Sequence, residues 1–161
     1  MKKDAFPKTK NEQNTVKPAI IRLLDKHDWF HWAVPNNGMG QSGISDRHAV
    51  WNGIFMVIEA KYGNKKPTPL QIAFLNSVRA AGHFAFVVND TNIHWLDEFL
   101  TLLAASTKEV QNGNPVPNEV GAQMLTAIHA LTALIPAEVA QPHALARVPG
   151  PQPVIGDNDL G

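Results

Sequence analysis

The chain has 161 residues, a formal net charge of zero and no cysteine. It is long enough for one domain with a sizeable core, and it excludes disulfides, cysteine-ligated zinc and thiol catalysis. No apolar run approaches the roughly 20 residues of a transmembrane helix, and the basic N-terminus lacks the apolar segment of a signal peptide, so we expect a cytoplasmic protein with no membrane partner.

The first third of the chain predicts a helix, a short strand and a loop. Residues 1–15 are polar and are predicted to be a flexible basic N-terminus. A helix is predicted from about residue 16 to residue 27, with Pro18 in its first turn. Residues 29–34 alternate enough to predict a strand. The loop that follows, up to Gly43, is rich in Asn and Gly and is a candidate DNA-facing element.

A β-hairpin is the clearest local prediction. The pair Asn52-Gly53 stands between two apolar runs, which is the strongest short-range signal for a two-residue hairpin loop. Pairing back from this loop places Asp46 opposite Glu59. Directly opposed residues share a face of the sheet with their Cβ atoms about 5 Å apart. Two carboxylates so close repel each other unless one is protonated or a cation lies between them.

Alternation along the strands adds two more side chains to this face. Lys61 follows Glu59 by two residues and projects in the same direction. Two acids and a lysine beside a Gly-rich loop are typical of a divalent-metal phosphodiesterase site. His48 is predicted on the same face, where it could be a metal ligand, a hydrogen-bond partner of a ligand, a DNA contact or a half-buried strand residue.

The next elements form a β-α-β unit. Thr68 is predicted to cap a helix that Gly82 ends, and residues 84–88 predict a buried strand parallel to the strand before the helix. A further helix is predicted over 92–105. Gln71 fits the third helical position of a capping box, and it could instead serve the active site, with one role at a time.

The remaining sequence predicts an accessory region and a tail. We divide the chain into a nuclease domain over 16–105, a linker and accessory helix over 106–135, and a disordered or loosely packed tail over 136–161. Within the accessory region, the helix itself is predicted over residues 119–135. Its apolar stripe is expected to pack on the parent domain, although a dimer contact is the alternative.

The motifs of the hairpin and of the β-α-β unit resemble those of one nuclease family. They are similar to the VRR-NUC branch of the PD-(D/E)xK nuclease superfamily, which contains many small phage and bacterial nucleases. The resemblance covers about residues 12–90. The segments that carry it are Gly43-Ile-Ser-Asp46, Ile58-Glu-Ala-Lys61, Pro67-Thr-Pro-Leu-Gln71, and Ala81-Gly82 followed by Phe84-Ala-Phe-Val-Val88.

This resemblance implies a fold and an activity. The fold is α/β, with a restriction-endonuclease-like αβββαβ core, a mixed four-stranded sheet flanked by helices, and a C-terminal helix and loose tail. The implied activity is an Mg²⁺-dependent endonuclease, with Mn²⁺ able to substitute, that hydrolyses DNA. It further suggests a homodimer that acts on branched or structured DNA, as a Holliday-junction resolvase does, in a bacterium or a phage-infected host cell.

The resemblance also assigns roles to residues. Asp46, Glu59 and the carbonyl of Ala60 would hold the metal, Lys61 would orient the nucleophile and stabilise the transition state, and Gln71 would position water or Lys61. Many family members carry a further acid in or before the first helix, where this chain offers Glu12 and Asp25. The candidate DNA contacts are Asn37, Gln41, Ser42, Lys65 and Lys66.

Two other functions stay open. One is a DNA-binding module that kept a nuclease fold without catalysis, although such a protein has no need of two repelling carboxylates. The other is a metallohydrolase in which His48 joins Asp46 and Glu59 around Zn²⁺ or Mn²⁺. Loss of a Zn²⁺-supported activity in a His48→Ala variant would favour this second alternative.

Overall fold

A computed structural model of the chain describes residues 9–34 and 43–136, and it shows an α/β protein with a four-stranded mixed sheet flanked by helices. Asn37, Gln41, Ser42 and the predicted tail from residue 137 onward lie outside the described residues. The elements in chain order are a π-helical turn (Glu12–Val16), α1 (Lys17–Lys26), β1 (Phe30–Ala33), β2 (Arg47–Trp51), β3 (Ile54–Ala60), α2 (Pro69–Ala80), β4 (Phe84–Val88), α3 (Ile93–Gln111) and α4 (Asn118–Thr132).

The sheet confirms the predicted hairpin and crossover. Its strand order is β1-β2-β3-β4, antiparallel from β1 to β3, whereas β4 runs parallel to β3 after the α2 crossover. Asn52 and Gly53 have φ values of 46° and 78°, which is the left-handed geometry that a tight two-residue hairpin loop requires. The β2–β3 pairing ends at Arg47 opposite Ile58, so Asp46 is the first residue outside it.

The two faces of the sheet are covered unequally. The helices α1, α3 and α4 pack on one face, where Met56, Ile58 and Phe86 lie in the larger hydrophobic cluster. Helix α2 packs on β3 and β4 on the other face, over Val57 and Val87. We call this second face the α2 face. Because side chains alternate along a strand, Glu59 lies on the α2 face with Val57.

The first helical region begins earlier than predicted. Residues 12–16 form a π-helical turn that leads into α1, and the side chain of Asn11 caps it by accepting a hydrogen bond from the amide of Asn14. Val16 is buried in the main core, so the end of this turn packs against the domain. Helical structure therefore begins at residue 12, four residues before the predicted start of the first helix.

The C-terminal helices are also placed differently from the prediction. Helix α3 continues to Gln111, six residues past the predicted end, and stops before Gly113, whose φ is 78°. Polar composition suggested an earlier end, but polar side chains are tolerated on the exposed side of a helix. Helix α4 ends three residues before the predicted end, and its Ala127 and Leu131 are fully buried in the main core.

None of the helices within the described residues combines the length and the apolar character that crossing a lipid bilayer requires.

Candidate active site

A tightly packed turn brings the chain to Asp46. Gly43 has a φ of 88°, and a Cβ atom at this position would lie 2.6 Å from Leu70 Cβ and 2.8 Å from the Leu70 carbonyl carbon. Only glycine fits such a left-handed, crowded position. Ser45, two residues on, is completely buried. The turn is therefore held against the first turn of α2, and Asp46 emerges beside the end of β3.

The carboxylate of Asp46 is held from two sides. Its Oδ2 accepts a hydrogen bond of 3.0 Å from the backbone amide of Ala60, so the side chain extends the β2–β3 pairing beyond the last backbone pair. Its Oδ1 accepts a hydrogen bond of 2.6 Å from Lys17 Nζ. The same ammonium lies 3.1 Å from Glu12 Oε1. Burial works against the charge of Lys17, but the hydrogen bonds to Asp46 and Glu12 raise its pKa above the usual value.

Glu59 is the buried acid of the site. It is 1 % exposed, and its Oε1 accepts hydrogen bonds of 2.5 Å from both Lys61 Nζ and Gln71 Nε2. Its Oε2 is buried and has no hydrogen-bond partner among the described residues. Burial, followed by the nearby charge of Asp46, raises the pKa of Glu59 to about 7, although Lys61 acts in the opposite direction. The carboxylate thus has one oxygen that still needs a proton or a cation.

Lys61 is fixed by the end of the sheet. Its backbone amide donates a hydrogen bond of 2.9 Å to the carbonyl of Val88, one step past the parallel pairing of Ala60 with Val88. The side chain is nearly buried beside Glu59. The predicted convergence of Glu59 and Lys61 on one face is therefore present, with their charged groups in direct contact.

Gln71 makes the contacts of a helix cap and a contact with Glu59 at the same time. Its Oε1 accepts a hydrogen bond from the amide of Thr68, and the Thr68 hydroxyl accepts one from the amide of Gln71, which completes the capping box of α2. Its Nε2 simultaneously donates to Glu59. The two sets of contacts do not exclude each other, contrary to the prediction, because an amide has a separate acceptor and donor end.

His48 lies on the predicted face but outside this group of charged residues. Its ring stacks on Phe74 with a centroid distance of 5.9 Å and meets Trp32 and Phe55 edge-on. Burial lowers its pKa, which favours the neutral ring. Nowhere in residues 9–34 and 43–136 do three His, Cys, Asp or Glu side chains form a group that could hold a metal ion. The structure does not bring His48 to Asp46 and Glu59, as the Zn²⁺ alternative requires.

The other candidate residues are distributed unevenly around the site. Lys65 and Lys66 are exposed in the connection between β3 and α2. Glu12 reaches the site through Lys17, whereas Asp25 accepts a hydrogen bond from His31 and has no such link. Sequence reasoning missed Lys17. No local pattern in the sequence signals this contact, because Lys17 and Asp46 are 29 residues apart.

The donor atoms fit a hard divalent cation. Asp46 and Glu59 offer carboxylate oxygens, which Mg²⁺ prefers, and Oε2 of Glu59 is an acceptor that the described part of the chain leaves unsatisfied. Removing one partner of a buried polar atom costs about 1–3 kcal/mol, so a site that keeps such an atom is suited to a ligand that satisfies it.

Comparisons of the chain with protein-family models and with curated protein sequences find no match.

The raised pKa of Glu59 predicts a pH dependence of stability in the metal-free protein. Its pKa is about 7 in the folded state, against an ordinary value of 4.5. The folded protein therefore binds this proton more tightly than the unfolded chain does. The resulting stabilisation is complete below pH 4.5 and is lost as the pH rises through 7, with a maximum of about 3 kcal/mol. Urea unfolding at pH 5 and pH 8 in EDTA measures the difference.

The control for this measurement is Glu59→Gln, which has no proton to exchange. We expect its free energy of unfolding to change less between the two pH values than that of the wild type. Equal pH dependence in the two proteins would show that a group other than Glu59 causes the effect.

Proposed function

We propose that this protein is a metal-dependent endonuclease that hydrolyses phosphodiester bonds in DNA. The observation that carries the proposal is the buried carboxylate of Glu59, which lies against Lys61 and near Asp46 and has one oxygen without a partner among residues 9–34 and 43–136. The element order from α1 to β4 also agrees with a restriction-endonuclease-like αβββαβ core, which we include in the proposal together with membership of the VRR-NUC branch.

The residues of the site would divide the work as follows. Asp46, Glu59 and the carbonyl of Ala60 would hold Mg²⁺ or Mn²⁺. When bound, the ion supplies positive charge to the scissile phosphate and lowers the pKa of water. Lys61 has three N–H donors, of which one is directed to Glu59. The others are available to orient a nucleophilic water and to stabilise negative charge on the phosphate oxygens in the transition state.

A structural salt bridge between Glu59 and Lys61 explains less than the catalytic interpretation. A pair kept for stability would be expected to satisfy both carboxylate oxygens, because breaking or half-satisfying a buried pair is costly. Here Gln71 and Lys61 both donate to Oε1, and Oε2 stays without a partner within the described residues. The nearby charge of Asp46 further disfavours the ionised form of Glu59. A non-catalytic DNA-binding module would gain nothing from this arrangement.

The α2 face also offers a surface for DNA beside the site. Helix α2 packs on β3 and β4, whereas Phe30 on β1 is 73 % exposed and Trp32 is 37 % exposed, with their rings 5.7 Å apart. Strand spacing and register place Trp32 roughly 12 Å from Glu59 on this face. Exposed aromatic rings bind unpaired bases by stacking, so the surface favours DNA with a single-stranded part, as branched DNA has.

The stacking surface predicts a selective loss of affinity. Phe30→Ala and Trp32→Ala should each weaken binding to single-stranded or flapped DNA about tenfold, since a base–aromatic stack contributes about 1–3 kcal/mol. Affinity for blunt duplex DNA should change little. Both affinities are measured by fluorescence anisotropy of labelled oligonucleotides, with every variant made in the Glu59→Gln protein. Val110→Ala is the control, because Val110 is an exposed apolar side chain on α3, outside the aromatic pair. Equal losses on both kinds of DNA would contradict a role in stacking.

The proposed activity is tested directly by incubating the purified protein with Mg²⁺ or Mn²⁺ and with linear, nicked, single-stranded, flapped and four-way DNA. We expect cleavage that EDTA stops and that Glu59→Gln lacks. Preference for the four-way substrate, together with a dimeric elution volume, would support the junction-resolvase form of the proposal. Absence of metal-dependent cleavage on all five substrates would overturn the proposed activity.

A further inference from the structure

Lys17 lies between the two acidic groups that border the site. Its Nζ is 2.6 Å from Asp46 Oδ1 and 3.1 Å from Glu12 Oε1. Asp46 and Glu12 come from segments that are 34 residues apart in the sequence, so this contact joins the N-terminal π-helical turn to the start of β2. The ammonium thus neutralises the more exposed of the two carboxylates that would hold the metal.

The charge of Lys17 is held in place by its acidic partners. Lys17 is the first residue of α1, and the π-helical turn before it brings Glu12 within reach of its ammonium. The side chain of Lys17 is 23 % exposed, so it has room to leave Asp46 without opening the core.

We propose that Lys17 is a resident counter-ion of the metal site, which a divalent cation displaces from Asp46. The inference rests on the proposed function, since it takes Asp46 and Glu59 as the metal-holding carboxylates. In the metal-free protein the Lys17 ammonium neutralises Asp46. When the divalent cation enters, Lys17 turns away and keeps its ion pair with Glu12. Metal binding is therefore an exchange of one cation for another, and Lys17 sets the metal concentration at which the site fills.

Calorimetric titration of the DNA-free protein with Mn²⁺ tests this exchange without reference to cleavage. Lys17→Met removes the charge and keeps an apolar stem, so the dissociation constant for Mn²⁺ should fall roughly tenfold, the order of a partly screened charge–charge contact. Lys17→Arg keeps the charge and should stay close to the wild type. Lys26→Met is the matched control, because Lys26 is the last residue of the same helix and pairs with Asp97, and its Mn²⁺ affinity should not change.

A double variant separates Glu12 as partner of Lys17 from Glu12 as metal ligand. Glu12→Gln alone should weaken Mn²⁺ binding several-fold, because the displaced ammonium loses its second carboxylate. In the Lys17→Met background the same change should have no further effect. A further loss of affinity in that background would make Glu12 a ligand, and it would overturn its role as the acceptor of Lys17.

An NMR titration of the wild type with Mg²⁺ keeps the test independent of variant folding. The Lys17 side-chain resonances should shift in step with site occupancy, and those of Lys26 should not. The counter-ion inference is overturned if Lys17→Met leaves Mn²⁺ affinity unchanged or weakens it, if Mn²⁺ does not bind at all, or if the Lys17 resonances do not respond. Tighter Mn²⁺ binding in Lys17→Met without any DNA cleavage in the wild type would support the exchange and reject the nuclease.

Discussion

Asp46→Asn and Glu59→Gln are each expected to lower kcat/KM for DNA cleavage at least about a hundredfold, the scale of losing a group that stabilises transition-state charge, while the fold persists. Each substitution removes one of the two proposed carboxylate ligands and keeps the size of the side chain. Single-turnover cleavage with saturating Mg²⁺, together with urea unfolding in EDTA, measures both effects.

The expected stability of the two variants follows from the contacts of Asp46 and Glu59. Asp46→Asn loses its ion pair with Lys17, but both groups are partly exposed, so the free energy of unfolding should fall by less than about 1 kcal/mol. Glu59→Gln removes a buried acid whose charge is unfavourable at neutral pH, so metal-free stability should be maintained or increased at pH 8. Large destabilisation in both variants would point to a structural role for the carboxylates.

Lys61→Ala is expected to reduce the rate of cleavage at least about a hundredfold, while the variant still binds DNA and Mn²⁺. The reason is that Lys61 is assigned to charge that develops only in the transition state. Single-turnover rates and anisotropy titrations separate the two quantities. The variant also removes the cationic partner of Glu59, which should lower the free energy of unfolding by about 1–3 kcal/mol. The assays should therefore be run well below its melting temperature.

Lys65→Ala provides the contrast to Lys61→Ala. Lys65 is exposed in the connection that leads to α2, and as a phosphate contact it should weaken DNA binding modestly and reduce its salt dependence without slowing the bound complex. If Lys61→Ala instead loses affinity and cleavage in equal proportion, Lys61 is a phosphate anchor and the proposed division of roles is wrong.

Local chemistry made the hairpin and the crossover predictable from the sequence. Asn52-Gly53 specifies a two-residue loop on its own, and the period of two along β3 then places Glu59 and Lys61 on one face. The capping box at Thr68 and Gln71 is likewise a local pattern. These elements needed no knowledge of distant contacts, and the structure shows all of them.

The features that were missed depend on which distant segments meet. The ion pair of Lys17 with Asp46 spans 29 residues, and no period or motif in the sequence connects these positions. His48 was placed on the correct face, but its neighbours come from β1 and α2, where Trp32 and Phe74 enclose its ring. Alternation determines direction along a strand, whereas packing between elements determines what each side chain meets.

The side chain of Gln71 both caps the start of α2 and holds Glu59 in its orientation. A shorter side chain at position 71 would lose the hydrogen bond to Glu59. A side chain that only donates a hydrogen bond to Glu59 would leave the Thr68 amide without its acceptor. The helix cap and the proposed chemistry therefore depend on the same residue. A related protein that has lost the proposed activity is expected to keep the glutamine for the helix cap after Asp46 and Lys61 have diverged.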